Sequence, residues 1–158
     1  MGNFISLGKP NFPGDGLGLY EFFVARWNHV EDPVNIVVVA KNGFTRSCIS
    51  VHLRSDGHVL TEAEPTCLLD VLTIMREAIP QAVILDQEMP ECPWETVVRC
   101  IREDPLLSGT PILLVGDPEQ QEAAARLGRW GHLRFMVKPI QAEALLQDVR
   151  RLAQYFHE

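Results

Sequence analysis

Basic runs are what this sequence most lacks. Lys and Arg number 14 against 21 Asp and Glu, the net charge is −7, and no cluster of cations stands along the chain. The electrostatic footprint that grips a phosphate backbone is therefore missing, and direct nucleic-acid binding is not expected. Cysteines are few: Cys48, Cys67, Cys92 and Cys100 form no C-x-x-C pair, and His29, His52, His58, His132 and His157 complete no metal-ligand spacing. Zinc and dithiol chemistry are accordingly not expected, and reduced thiols suit a cytoplasmic location. No apolar stretch approaches the roughly 20 residues of a membrane helix, and the N-terminus lacks the basic-then-apolar order of a signal peptide. A glycine-rich phosphate loop is missing too, since "AKNGFT" after the first apolar run holds a single glycine. Nucleotide binding by that route is disfavoured.

What is present is an ordinary globular composition, 46% hydrophobic and 22% charged over 158 residues, enough chain to bury roughly 70% of its unfolded surface. From residue 34 two periodicities alternate. Asn35 to Val39 is a β-branched run suited to a strand buried on both faces. A helix follows from Gly43 to Ser55, then a short strand around His58 to Thr61, and a helix carrying Leu68, Leu69, Leu72 and Met75 that Pro80 closes. The third strand is Ala82 to Leu85, with a helix from near Pro93, proline being tolerated in a first turn, to Asp104-Pro105. Pro111 to Val115, Pro118 to Leu127, Leu133 to Val137 and Ala142 to Phe156 complete five β-α units. Such alternation predicts an α/β fold, a doubly wound five-stranded parallel sheet of the flavodoxin-like kind, with functional groups at the carboxyl ends of the strands.

Residues 1–33 stand outside the repeat and read as an N-terminal extension to a domain spanning 34–158. Asn3 to Gly18 is rich in Gly and Pro, and 19–30 carries Tyr20, Phe22, Phe23 and Trp27 on a candidate amphipathic helix. Such a helix either packs on the domain's own surface or offers a partner or homodimer segment, because aromatics left in water form an adhesive patch.

The strand ends supply a short set of residues: Ala40-Lys41, Asp86, Gly116-Asp117 and Lys138-Pro139. A carboxylate such as Asp86 at the end of a buried strand is costly unless something there needs it. Leu85-Asp86-Gln87-Glu88-Met89-Pro90 and Val137-Lys138-Pro139, in register with five β-α units, resemble the phosphoacceptor and invariant-lysine motifs of response-regulator receiver domains, over roughly residues 34–157. The resemblance implies a two-component signalling module. In that chemistry a strand-end aspartate attacks a phosphohistidine, two acidic residues after the first strand hold magnesium, and a lysine neutralises the phosphoryl oxygens. A hydroxyl after the fourth strand and an aromatic on the fifth form the switch.

Matched position by position, Asp86, Lys138 and the aromatic Phe135 agree, and the remainder departs. Ala40 and Lys41 stand where the acidic pair belongs, Gly116 where the Ser or Thr belongs, and Trp94 where glycine is common, which narrows access. This is the pattern of a pseudo-receiver: no metal ligands, magnesium binding absent or weak, and Asp86 held as a structural anion by Lys41 and Lys138. Asp117 reads as the N-cap of the helix at Pro118, Glu88 as a solvated side chain and Cys92 as a plain loop thiol. Arg129 and Trp130 are candidate interface residues, or a Trp folded over its own helix. With no output module in the 158 residues, function is expected to lie in binding rather than catalysis: a phosphorylation-independent adaptor docking a protein partner. The alternatives are a working phosphoacceptor using Asp86 and a small-ligand sensor at the strand-end cleft.

Overall fold

The structure, a computed structural model, describes residues 33–89, 91–128 and 132–156. The expectations placed on Phe22, Phe23, Trp27, Arg129 and Trp130 lie outside these residues. The order is β1 (Asn35–Val39), α1 (Gly43–Ser55), β2 (Val59–Ala63), α2 (Leu68–Ala78), β3 (Ala82–Asp86), α3 (Trp94–Glu103), β4 (Ile112–Gly116), a 3-10 turn (Pro118–Gln120), α4 (Gln121–Leu127), β5 (Leu133–Val137) and α5 (Ala142–Phe156). Every strand pair is parallel, in the order β2-β1-β3-β4-β5, so the sheet is the expected doubly wound α/β arrangement.

Composition explains which strands are central. β3 and β4 are buried along their whole length, and β1 is buried from Ile36 to Val39, because helices cover both faces and continuous apolar runs satisfy both. The edge strands β2 and β5 expose part of each face and carry Thr61, Glu62 and Arg134. One core layer joins Val37, Val83, Leu85 and Leu114 to Val71 and Met75 of α2, Val97, Val98 and Ile101 of α3, and Ala124 and Leu127 of α4. The other joins Ile36, Val38, Ile84 and Leu113 to Ile49 and Leu53 of α1 and Leu145, Val149 and Leu152 of α5. Successive residues of each central strand thus serve opposite layers, as the pleat requires.

Several boundaries differ from the expected ones, each for a local reason. β2 begins at Val59 rather than His58, whose buried ring accepts the Val34 N–H at 3.1 Å. β3 and β4 each run one residue further, so that Asp86 and Gly116 belong to the sheet itself, paired at Asp86–Val115 and Gly116–Val137. Pro93 is the N-cap of α3 rather than a residue of its first turn, and Pro118–Gln120 is a separate 3-10 turn before α4. Leu69 is 66% exposed: the packed face of α2 is Val71 and Met75 with Leu68 and Leu72 beside them, and Leu69 lies a helical step off that face.

Candidate functional site at the strand ends

The carboxyl ends of β1, β3, β4 and β5 bring together the residues that the sequence singles out. Asp86, the last residue of β3, is 2% exposed. Its Oδ1 accepts the backbone N–H of Glu88 at 2.8 Å, a turn closed by the aspartate on its own loop. Its Oδ2 lies 2.8 Å from the Lys138 ammonium, off the line of an aligned hydrogen bond, so the contact is chiefly Coulombic. Lys138 follows β5, with its own N–H donating to the Gly116 carbonyl at 2.9 Å and a cis peptide to the exposed Pro139.

Lys41 does not share in holding Asp86. Its ammonium is half-exposed and its partner is Glu88 Oε1, at 4.0 Å. The expected three-charge cluster is therefore two separate pairs: the buried Asp86 with the partly exposed Lys138, and the exposed Lys41 with Glu88. The reason is geometric: Asp86 Oδ1 is already taken by a backbone N–H, and an ammonium that can stay hydrated gains little by entering. Glu88 is exposed as expected, yet it has this partner. Ala40 is fully buried, and its carbonyl accepts from the Arg46 guanidinium at 2.7 Å. Asn42 caps α1 beside it, accepting the N–H groups of Phe44 and Thr45.

Gly116 and Asp117 are organised by a residue that sequence reasoning passed over. The Gln87 side chain lies over Gly116, so that a Cβ built there would meet the amide Oε1, with the amide carbon 2.9 Å away. The same amide makes two bonds to Asp117: Gln87 Nε2 donates to Oδ2 at 2.6 Å, and the Asp117 N–H donates to Gln87 Oε1 at 3.0 Å. Asp117 occupies the cap position of the 3-10 turn, but its carboxylate makes no capping bond, because Gln87 holds it instead. A glutamine in a polar loop gives no sequence signal of such a role; only the missing Cβ at 116 hinted at room for something.

Trp94 is buried as the first residue of α3, with its Nε1–H donating to Gln120 Oε1 at 3.0 Å. It walls one side of an open cleft of about 650 Å³ whose floor includes Lys138 and whose rim carries Glu88, Glu91 and Glu95. The indole is thus part of the packed wall, beside a cleft that stays open. Phe135 is half-buried against the core layer of α2, α3 and α4. Cys92, also on the cleft, is half-buried, and burial foremost, then Cys100 and Glu91, pushes its thiol pKa upward, away from the thiolate.

Receivers hold magnesium, and the residues here do not fit that ion. Ala40 offers no donor, Lys41 is a cation, and both Asp86 oxygens are engaged. Among the described residues no three His, Cys, Asp or Glu side chains converge on a metal-sized site. The arrangement brings a carboxylate, a lysine and three loops into contact.

No protein-family model matches the sequence, and no curated protein matches it significantly. The likeness is in structure. The chemotaxis response regulator CheY4 of Vibrio cholerae superposes with a TM-score of 0.65 at 23% identity, over 77% of this chain and 99% of that one. A response-regulator receiver domain protein from Clostridium thermocellum gives 0.68 at 19% identity, over 76% and 94%. NtrX from Brucella abortus gives 0.71 at 20% identity, over 80% of this chain and 28% of that longer one. The fold is thus the receiver fold, as the two motifs imply.

Proposed function

We propose that this chain is a signalling module of the receiver type that works without phosphorylation, binding a protein partner rather than catalysing a reaction. The observation that carries the reading is the state of Asp86: buried, with one oxygen on the Glu88 N–H and the other against Lys138, and with Ala40 and Lys41 where metal ligands would be needed. A carboxylate attacks phosphorus productively only when the transferred group's charge is neutralised and its oxygens are positioned in line. Lys138 supplies a single positive charge, and the acidic rim of Glu88, Glu91 and Glu95 opposes an approaching anionic donor. The receiver fold supports a role in signalling, and the partner-binding face is the one built by α4, β5 and α5. Among the described residues no helix is long and apolar enough to cross a membrane.

The test is a titration of magnesium and beryllofluoride into isotopically labelled protein, following the backbone amides of Asp86, Gly116 and Lys138. The expected outcome is no saturable shift at millimolar metal. Saturable shifts that spread to Phe135 and α4 would mean that Asp86 is a working phosphoacceptor and would overturn the proposal.

A further inference from the structure

Asp86, the last residue of β3, and the two residues that follow it reach three different strand ends. Asp86 pairs with Lys138 after β5, Gln87 binds Asp117 after β4, and Glu88 meets Lys41 after β1. The outer pairs are charged and one of them is exposed, as are the two bonds of the middle pair. The middle one is built differently: a neutral amide, both ends of which are used, lies where a Cβ on residue 116 would stand. Asp117, so held, passes the restraint on, since its carbonyl accepts the Gln120 N–H at 3.0 Å and Gln120 Oε1 accepts from Trp94. One chain of hydrogen bonds therefore runs from the β3 loop through the β4 loop and the 3-10 turn to the start of α3.

We infer that Gln87 is an internal latch, holding the loop after β4 and the turn that leads into α4 in one conformation, and that position 116 is glycine to admit it. The inference rests on the phosphorylation-independent reading and deepens it. In a receiver that is switched by phosphate, a side-chain hydroxyl at this position bonds the phosphoryl group. Here the glutamine amide fills that position from within the chain, so the loop that would move is tied down without a ligand. The face that follows, beginning at α4, is thereby kept in a constant state.

The Asp117 amide reports on the latch, because its hydrogen-bond acceptor is Gln87 Oε1. Solvent-exchange NMR on the full chain should show that amide exchanging roughly five- to tenfold faster in Gln87→Ala, the loss expected for one modest hydrogen bond. Gly116→Ser should give a similar loss, because its Cβ expels the Gln87 amide. In the double variant Gly116→Ser should add nothing further, the latch being already gone. An unchanged Asp117 rate in Gln87→Ala overturns the latch, and so do additive effects in the double variant. The magnesium and beryllofluoride titration of the unsubstituted protein reads the other proposal separately. Inertness there with no latch would leave the phosphorylation-independent reading standing alone, and a response there with the latch intact would remove that reading and keep Gln87 as a clamp.

Discussion

Lys138 is the only cation within ion-pair distance of Asp86 among the described residues, and it is the residue whose loss should cost most at this site. Taking away the partly exposed Lys138 leaves the buried Asp86 charged and poorly solvated. Lys138→Met should therefore destabilise the fold by about 1–2 kcal/mol. Adding Asp86→Asn to that variant should recover most of the loss, because the stranded charge goes with it. Lys41→Met, at an exposed pair of 4.0 Å, should change stability by no more than about 0.5 kcal/mol. Urea unfolding of the four proteins checks the set, and a Lys41 effect equal to that of Lys138 would contradict this ranking. Asp86 and Lys138 were legible in the sequence because a charge at the end of an apolar strand has few innocent explanations. Gln87 was not. Its role depends on what stands across the loop at Gly116 and Asp117, and nothing in the polarity of a loop glutamine separates a latch from a solvated side chain.

The end of α2 carries a local conflict. Ile79 closes that helix at φ 47°, with its N–H on the Met75 carbonyl, and its side chain is 61% exposed. A β-branched residue in the left-handed region costs roughly 1 kcal/mol, whereas glycine adopts it freely. Because the exposed side chain buries little, Ile79→Gly should raise stability by about 0.5–1 kcal/mol. Ile79→Ala keeps a Cβ in the same strained geometry and should not share the gain. Equal unfolding midpoints for the two variants would show that the strain is not felt. Periodicity in the sequence located α2 and its stop at Pro80, but not the conformation of the residue between. It also counted Leu69 among the apolar positions, since spacing alone does not say which face of the helix packs. The unbroken runs of β1, β3 and β4 were the more legible elements, because a strand buried on both faces leaves little choice of residue. The separate 3-10 turn at Pro118–Gln120 had no such signature.

At the scale of the molecule, the two ends of the sheet carry different chemistry. The carboxyl ends hold the candidate site. At the opposite end His58 joins the starts of β1 and β2 to Asp56 after α1 and, through Asp56, to Arg150 of α5. The alternation of periods predicted the sheet that makes both ends, yet not this cluster, whose Asp56–Arg150 bond spans 94 residues. His58 Nδ1 accepts the Val34 N–H, so the proton of the neutral ring is on Nε2, 3.2 Å from Asp56 Oδ2. Burial lowers the His58 pKa below 6.5; Asp56, by its charge and its hydrogen bond, pulls the other way, and Arg150 adds to the lowering. The sign follows from linkage. Above pH 6.5 the ring is neutral both folded and unfolded, and its contribution to stability is complete. As pH falls through 6.5 the unfolded chain takes up a proton that the folded chain refuses, and stability is lost until the lower folded value is reached. The slope from this one group is at most about 1.4 kcal/mol per pH unit. His58→Asn keeps an acceptor for the Val34 N–H and cannot titrate, so unfolding free energies of the two proteins between pH 8 and about pH 5 isolate the effect. The unsubstituted protein should lose stability relative to His58→Asn as pH falls below 6.5. Parallel curves would mean that His58 charges as readily in the fold as outside it, and that burial does not govern its proton.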